Sequence, residues 1–217
     1  IFKSYKTAST SIENFFSSLF KKKKMNPNEY IAGKHKMKNG VMITKHISPN
    51  ELFKLMPEVK DYYKICPIRN PFTQIISCYL HNYNHIPNEE QLTKYITSCT
   101  YTPSTFKKIK KHFQHLRTYY SYTLYNGQKC IDFFIKLENL REDVLTILNL
   151  FNIQDFNIDK LGNSRSSNIK YQIDDIYSPK NIKLVHLIFQ EEIQLGNYSF
   201  PKKEEKELKQ EEESLIS

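Results

Sequence analysis

The sequence predicts an α/β protein with a parallel sheet covered by helices on both faces. Two patterns carry that prediction. Short apolar runs alternate along the chain with amphipathic helical stretches, the order that βαβ units impose. The run at 130–135 is compact, apolar and flanked by polar residues, as a strand buried on both faces must be. Size agrees: a chain of 217 residues buries roughly 70% of its unfolded surface and needs no disulfide to hold a core.

Taken in order, residues 1–5 read as the end of an apolar strand, 6–11 as a polar turn and 12–20 as a helix. A loop over 21–30 carries the run Lys21, Lys22, Lys23, Lys24, and 41–44 is a short strand. Ser48 as N-cap and Pro49 at the first helical position open a helix over 49–56, because proline lacks only an N–H that this position leaves unused. Residues 62–68 form a strand of apolar and aromatic residues, and a helix over 71–81 starts directly after it. Helical patterns follow at 88–98 and 103–120, the second rich in lysine (Lys107, Lys108, Lys110, Lys111). After the strand at 130–135 come an amphipathic helix over 138–151 and a polar loop over 156–176. Ser178 and Pro179 open the last helix, 179–195. The expected division is one α/β domain over 1–200 and a charged tail over 201–217 with little to pack.

Charge and cysteines bound the function. The net charge is 32 − 23 = +9 and the pI is near 9.2. Such a balance selects an anionic partner (nucleic acid, nucleotide, anionic glycan or membrane surface) or else marks a lysine-rich solvated surface. No run approaches the roughly 20 apolar residues of a membrane span, and no signal-peptide pattern is present. Cys66, Cys78, Cys99 and Cys130 show no CxxC or Cys/His ligand spacing, so they read as core thiols rather than as a zinc site, in a reducing compartment before one in which the four could pair. The expected localisation is cytoplasmic.

In open parallel sheets, ligands sit outside the carboxyl ends of the strands, so two strand-to-helix loops stand out. The first is Lys6-Thr7-Ala8-Ser9-Thr10-Ser11. A helix N-terminus offers backbone N–H groups and a positive partial charge to an anion. Here three hydroxyls and a lysine surround that end. The stretch has no glycine and is not a Walker A loop, which requires two. No carboxylate pair stands at a strand end to hold Mg²⁺; Glu138 is the nearest candidate, and Asn139 follows it. The loop is either a metal-free anion site or a set of hydroxyls that caps a helix. The second loop has Arg69 at a strand end, Pro71 opening a helix and Ser77 nearly two turns in. Either Arg69 and Ser77 share one phosphate, through a guanidinium fork and a hydroxyl, or Arg69 pairs with a carboxylate and Ser77 is a packing residue.

In this order the two loops resemble the nucleotide-binding elements of sulfotransferases that use 3′-phosphoadenosine 5′-phosphosulfate (PAPS). The first, with Ala8-Ser9-Thr10-Ser11 after Lys6-Thr7, looks like the heparan sulfate 2-O-sulfotransferase branch of the carbohydrate enzymes. The second, Arg69-Asn70-Pro71 with Ser77-Cys78-Tyr79, resembles the family's Arg-Asn-Pro element. His46-Ile47-Ser48 is similar to the short His-x-Ser stretch of the 2-O branch. Leu137-Glu138-Asn139-Leu140 resembles a family element that opens a helix, and Asn163-Ser164-Arg165-Ser166-Ser167 the loop that covers the nucleotide. Gly196-Asn197-Tyr198 resembles a family ending. The likeness spans residues 1 to about 200. Tyr5 stands where proline is frequent, and Gln74 replaces an arginine.

The resemblance implies a P-loop-like sheet and a PAPS donor without metal. It implies that Lys6, Ser9, Thr10 and Ser11, with Thr7 and Ala8 of the same loop, hold the 5′-phosphosulfate. Arg69 and Ser77 would hold the 3′-phosphate, and Arg165 would close over the nucleotide. Lys6 would also stabilise the leaving phosphate oxygen. Removing the acceptor proton suits a base that titrates near neutral pH, hence a histidine. His46 is the first choice, His81 the second and Glu13 the third. The expected acceptor is a hydroxyl, of a carbohydrate before other compounds, with no nucleic acid and no membrane span. A P-loop nucleotide kinase or NTPase, a basic nucleic-acid-binding protein and a sulfotransferase relative without activity are the competing readings.

Overall fold

The computed structural model describes residues 1–2, 6–22, 35–36, 42–43, 47–98, 123–162 and 171–201. In chain order the elements are α1 (Ser9–Lys22), β1 (His35–Lys36), β2 (Met42–Ile43), α2 (Pro49–Leu55), β3 (Ile65–Ile68), α3 (Pro71–Tyr83) and α4 (Glu89–Thr97). Then come β4 (Leu124–Tyr125), β5 (Gln128–Lys129), β6 (Phe133–Lys136), α5 (Leu140–Leu150), α6 (Pro179–Ile188) and α7 (Gln190–Gly196).

β3 and β6 run parallel, with Ile65 opposite Phe133 and Ile68 opposite Lys136. Successive carbonyls of a strand point to opposite edges. The Lys64 carbonyl accepts from the Asp132 and Phe133 amides at 2.9 and 3.1 Å, and the Ile65 carbonyl accepts from the Phe2 amide at 2.8 Å. β3 therefore lies between β6 and the start of the chain. All four of its residues are buried, as a strand covered on both faces requires.

Side chains alternate across the strands, and each face has its own core. Ile65 and Ile135 pack with Ile12, Phe15, Phe16 and Leu19 of α1 and with Val144, Ile147 and Leu148 of α5. On the other face, Cys66 and Ile68 pack with Phe2, Leu52, Phe53 and Val59, joined by Phe134, Leu195 and Tyr198. A third cluster, built by α3, α4 and α6, holds Phe72, Ile76, Leu92, Ile96 and Val185. The result is the expected mixed α/β domain, with parallel strands between helices.

Helix starts follow their caps. Ser48 Oγ accepts from the Glu51 amide at 3.3 Å, while the Glu51 carboxylate accepts from the Ser48 amide at 3.0 Å, a reciprocal capping box. Several boundaries differ from the sequence reading. α1 begins at Ser9, three residues ahead of the apolar stripe, because hydrophobic periodicity is blind to a first turn made of hydroxyl residues. The strand read as 62–68 is only Ile65–Ile68, since Pro57–Asp61 form a 3₁₀ turn and Tyr62 and Tyr63 are exposed. The strand read as 130–135 starts at Phe133 and runs to Lys136. The helix read as 138–151 starts at Leu140, after a 3₁₀ turn at Leu137–Asn139. The last helix is two, because buried Phe189 (φ −110°, ψ 27°) ends α6 and begins α7. The β4–β5 hairpin closes through Asn126 (φ 49°) and Gly127 (φ 79°), the two left-handed positions of a type I′ turn. The Lys-rich pattern at 103–120 and the tail from 202 onward lie outside the described residues.

Candidate functional site

The first loop is shaped by its backbone. Lys6 and Ala8 have φ of 58° and 55°, left-handed values that cost a non-glycine residue roughly 1 kcal/mol each. Thr7 between them is not left-handed. Two left-handed residues so close together turn the chain sharply between Phe2, beside β3, and the start of α1. The chain then enters α1. The Ile12 amide donates to the Ala8 carbonyl at 3.1 Å, so the amides of Ser9, Thr10 and Ser11 precede the helical ladder, at the positive end of the helix dipole. Thr7, Ser9 and Ser11 are buried, and Lys6 and Thr10 are partly so.

Arg69 leaves the carboxyl end of β3 and reaches this loop. Its Nε donates to Thr73 Oγ1 at 2.9 Å and its Nη1 to the Lys6 carbonyl at 3.2 Å. Thr73 Oγ1 donates in turn to the Asn70 carbonyl at 3.0 Å. Asn70 caps α3, its Oδ1 accepting from the Phe72 amide at 3.1 Å, with Pro71 in the first helical position. Burial pulls the Arg69 guanidinium below its ordinary value, while Tyr171 and then Glu138 oppose that shift. An arginine remains cationic under such a shift, so a partly buried positive charge stands beside the loop.

Glu138 lies just past the carboxyl end of β6 and clasps the same turn. Its Oε1 accepts from the Asn70 amide at 2.8 Å and its Oε2 from the Tyr198 hydroxyl at 3.1 Å. Asn70 Nδ2 donates to the Ser199 carbonyl at 2.8 Å. Tyr198 can fold back here because Gly196 has no side chain: a Cβ there would collide with the Tyr198 ring. The Lys136 ammonium lies 5.7 Å from the centre of that ring, within cation–π range. Burial, and then the Glu138 carboxylate, push the Tyr198 hydroxyl far up. Behind the loop, burial pushes the Cys78 thiol up to about 12, with the charges of Lys6 and Arg69 working against it.

The structure thus brings the Lys6–Ser11 loop and Arg69 together. Ser77 stands one turn beyond Thr73 on the same face of α3 and is partly buried; the described bonds of the Arg69 fork go to Thr73 and Lys6. Gln74 is buried on α3. Glu13 is partly buried, one turn after Ser9. His81 is exposed in the last turn of α3, about 15 Å along the helix axis from Pro71 and so at the far end from Arg69. His46, Arg165 and Tyr5 lie outside the described residues.

Sequence reasoning gave no site role to Thr73, to the Glu138 carboxylate or to Tyr198. Thr73 carried a signal, four residues after Arg69 across a helix start. The Glu138 clasp carried none, because its partners are 68 and 60 residues away. Among the described residues no group of His, Cys, Asp and Glu could hold a metal ion. No helix among them is long and apolar enough to cross a membrane.

Fold and loops together define a parallel α/β protein in which the Lys6–Ser11 loop and Arg69 meet where β3 ends. The chain belongs to the sulfotransferase family, which matches residues 5–199. It is therefore an enzyme of sulfuryl transfer, and the kinase and nucleic-acid-binding readings give way to that family. The match takes in both loops, Glu138 and Tyr198. No curated protein and no solved structure matches the chain.

Proposed function

We propose that this sulfotransferase takes PAPS as donor and transfers its sulfuryl group to a hydroxyl of a carbohydrate. The observation that carries the reading is the 3.2 Å bond from Arg69 Nη1 to the Lys6 carbonyl. It sets two anion-seeking loops, 63 residues apart in sequence, side by side. PAPS bears anionic groups on both its 5′ and 3′ oxygens, and two adjacent cradles suit it. Lys6, Thr7, Ala8, Ser9, Thr10 and Ser11 take the 5′-phosphosulfate. Arg69 and Ser77 take the 3′-phosphate, and Arg165 covers the nucleotide.

In the reaction the acceptor oxygen bonds to sulfur while the bond from sulfur to the 5′-phosphate oxygen breaks. The acceptor proton passes to His46, and Lys6 meets the charge left on the phosphate. Positioning and charge stabilisation supply most of the rate, as in phosphoryl transfer. The Ala8-Ser9-Thr10-Ser11 loop and His46-Ile47-Ser48 support a place near the heparan sulfate 2-O branch.

Calorimetric titration with adenosine 3′,5′-bisphosphate in EDTA tests the donor. Micromolar binding is expected, weakened about tenfold or more in Arg69→Ala, or about 1.4 kcal/mol. Absence of binding by the wild type would remove PAPS as the donor. Transfer of labelled sulfate to a heparan-type glycan tests the acceptor, and His46→Ala should abolish turnover while leaving bisphosphate binding intact.

A further inference from the structure

We infer that Arg69 is a positioning residue for the Lys6 loop as well as a ligand for the 3′-phosphate, so that one side chain organises both ends of the donor site. The second of these roles rests on the reading proposed above; the first rests on geometry alone.

Two of the five N–H donors of Arg69 are engaged by the protein itself, which leaves others for a ligand. Nε is held by Thr73 Oγ1 and Nη1 by the Lys6 carbonyl. A hydrogen bond from a cation is about twice as strong as a neutral one. It falls on a residue whose left-handed backbone is disfavoured. The peptide from Lys6 to Thr7 is planar and trans. Its C=O and N–H therefore point in opposite directions. Fixing the Lys6 carbonyl toward Arg69 thus fixes the Thr7 N–H away from it, and with it the orientation of the loop between two left-handed residues. Thr73 completes the device, because it holds the guanidinium plane at the other end while bonding back to the Asn70 carbonyl. A lysine at position 69 would keep the charge, but its single ammonium on a flexible stem cannot reproduce a planar fork with two fixed partners.

The test separates the two roles by the ligand. Adenosine 3′,5′-bisphosphate and adenosine 5′-phosphosulfate, which lacks the 3′-phosphate, are titrated into the wild type, Ser77→Ala and Arg69→Lys. Ser77→Ala should weaken the bisphosphate and leave the phosphosulfate unchanged. Arg69→Lys should weaken both, the phosphosulfate by about fivefold. If Arg69→Lys binds the phosphosulfate within twofold of the wild type, the positioning role is overturned and the 3′-phosphate role stands.

Hydrogen exchange on the nucleotide-free protein gives a readout that needs no ligand. In Arg69→Lys the segment 6–16 should exchange at least fivefold faster while 179–196 is unchanged. Unchanged exchange at 6–16 overturns the inference, and so does an equal rise in both segments, which marks general loosening. A wild type that binds neither nucleotide would remove the donor reading and leave the exchange experiment to decide the positioning role.

Discussion

Replacing Glu138 with alanine tests the clasp that holds the turn after Arg69. Two bonds are lost, from the Asn70 amide at 2.8 Å and the Tyr198 hydroxyl at 3.1 Å. A hydrogen bond to a charged acceptor contributes about 1.5–3 kcal/mol. Glu138 is largely solvent-exposed, so the low end applies to the Asn70 amide. The Tyr198 hydroxyl can turn to water, and its bond adds less than about 1 kcal/mol. The sum is about 2 kcal/mol. For a chain of this size each kcal/mol moves the melting temperature by about 2–4 °C, so Glu138→Ala should melt about 4–8 °C lower. Glu138→Gln can still accept from the Asn70 amide and donate to the Tyr198 oxygen, so it should lose only the charge assistance, about 1 kcal/mol. Scanning calorimetry reads the melt. Because Asn70 directly follows Arg69, adenosine bisphosphate affinity should fall in the same order, alanine below glutamine. An alanine variant that melts within about 1 °C of the wild type would refute the clasp as a structural bracket.

Other outcomes follow from the same geometry. Ala8→Gly should change stability by less than about 0.5 kcal/mol, since relief at φ 55° is offset by a freer unfolded chain. Ala8→Val, which resists left-handed backbone, should lose about 2 kcal/mol in urea melts and weaken nucleotide binding. Tyr177→Phe should cost about 1 kcal/mol in the same melts, because the buried Tyr177 hydroxyl donates to the Phe72 carbonyl at 2.9 Å. Burial raises the Cys66 and Cys78 thiols from 9.0 to about 12. The folded state therefore keeps protons that the unfolded state releases above pH 9. Stability is full below that pH and falls as pH rises from 9 toward 12; Cys78→Ala should flatten this alkaline slope in pH-dependent melts.

Much of the architecture was legible because it is punctuated locally. Ser48-Pro49 and Ser178-Pro179 each open a helix where the sequence places one, and both serines cap as expected. The hydroxyls of the first loop and the Arg69-Asn70-Pro71 turn were legible as clusters at strand-to-helix junctions. The left-handed backbone at Lys6 and Ala8 was not, because neither residue is one that marks such a conformation. The break at Phe189 was hidden by apolar periodicity that runs through it. The Asn126-Gly127 hairpin does carry a local signal, since Asn-Gly suits the two left-handed positions of its turn. What stayed illegible is set by distance along the chain: a carboxylate that serves two partners more than 59 residues away leaves no local pattern.

That distance also dictates when the enzyme can exist. The turn after β3 is completed by residues 63, 68 and 129 positions away, the last being Ser199. During synthesis the parallel pair β3–β6 is available once residue 136 has emerged, and the two cores on its faces can begin to condense. The Asn70 turn then waits for some 60 further residues, several seconds of translation at about 5–20 residues per second. A nascent chain stalled in that interval would carry a framework without a finished Asn70 turn. Activity would therefore appear only once Ser199 has emerged rather than grow with the helical signal.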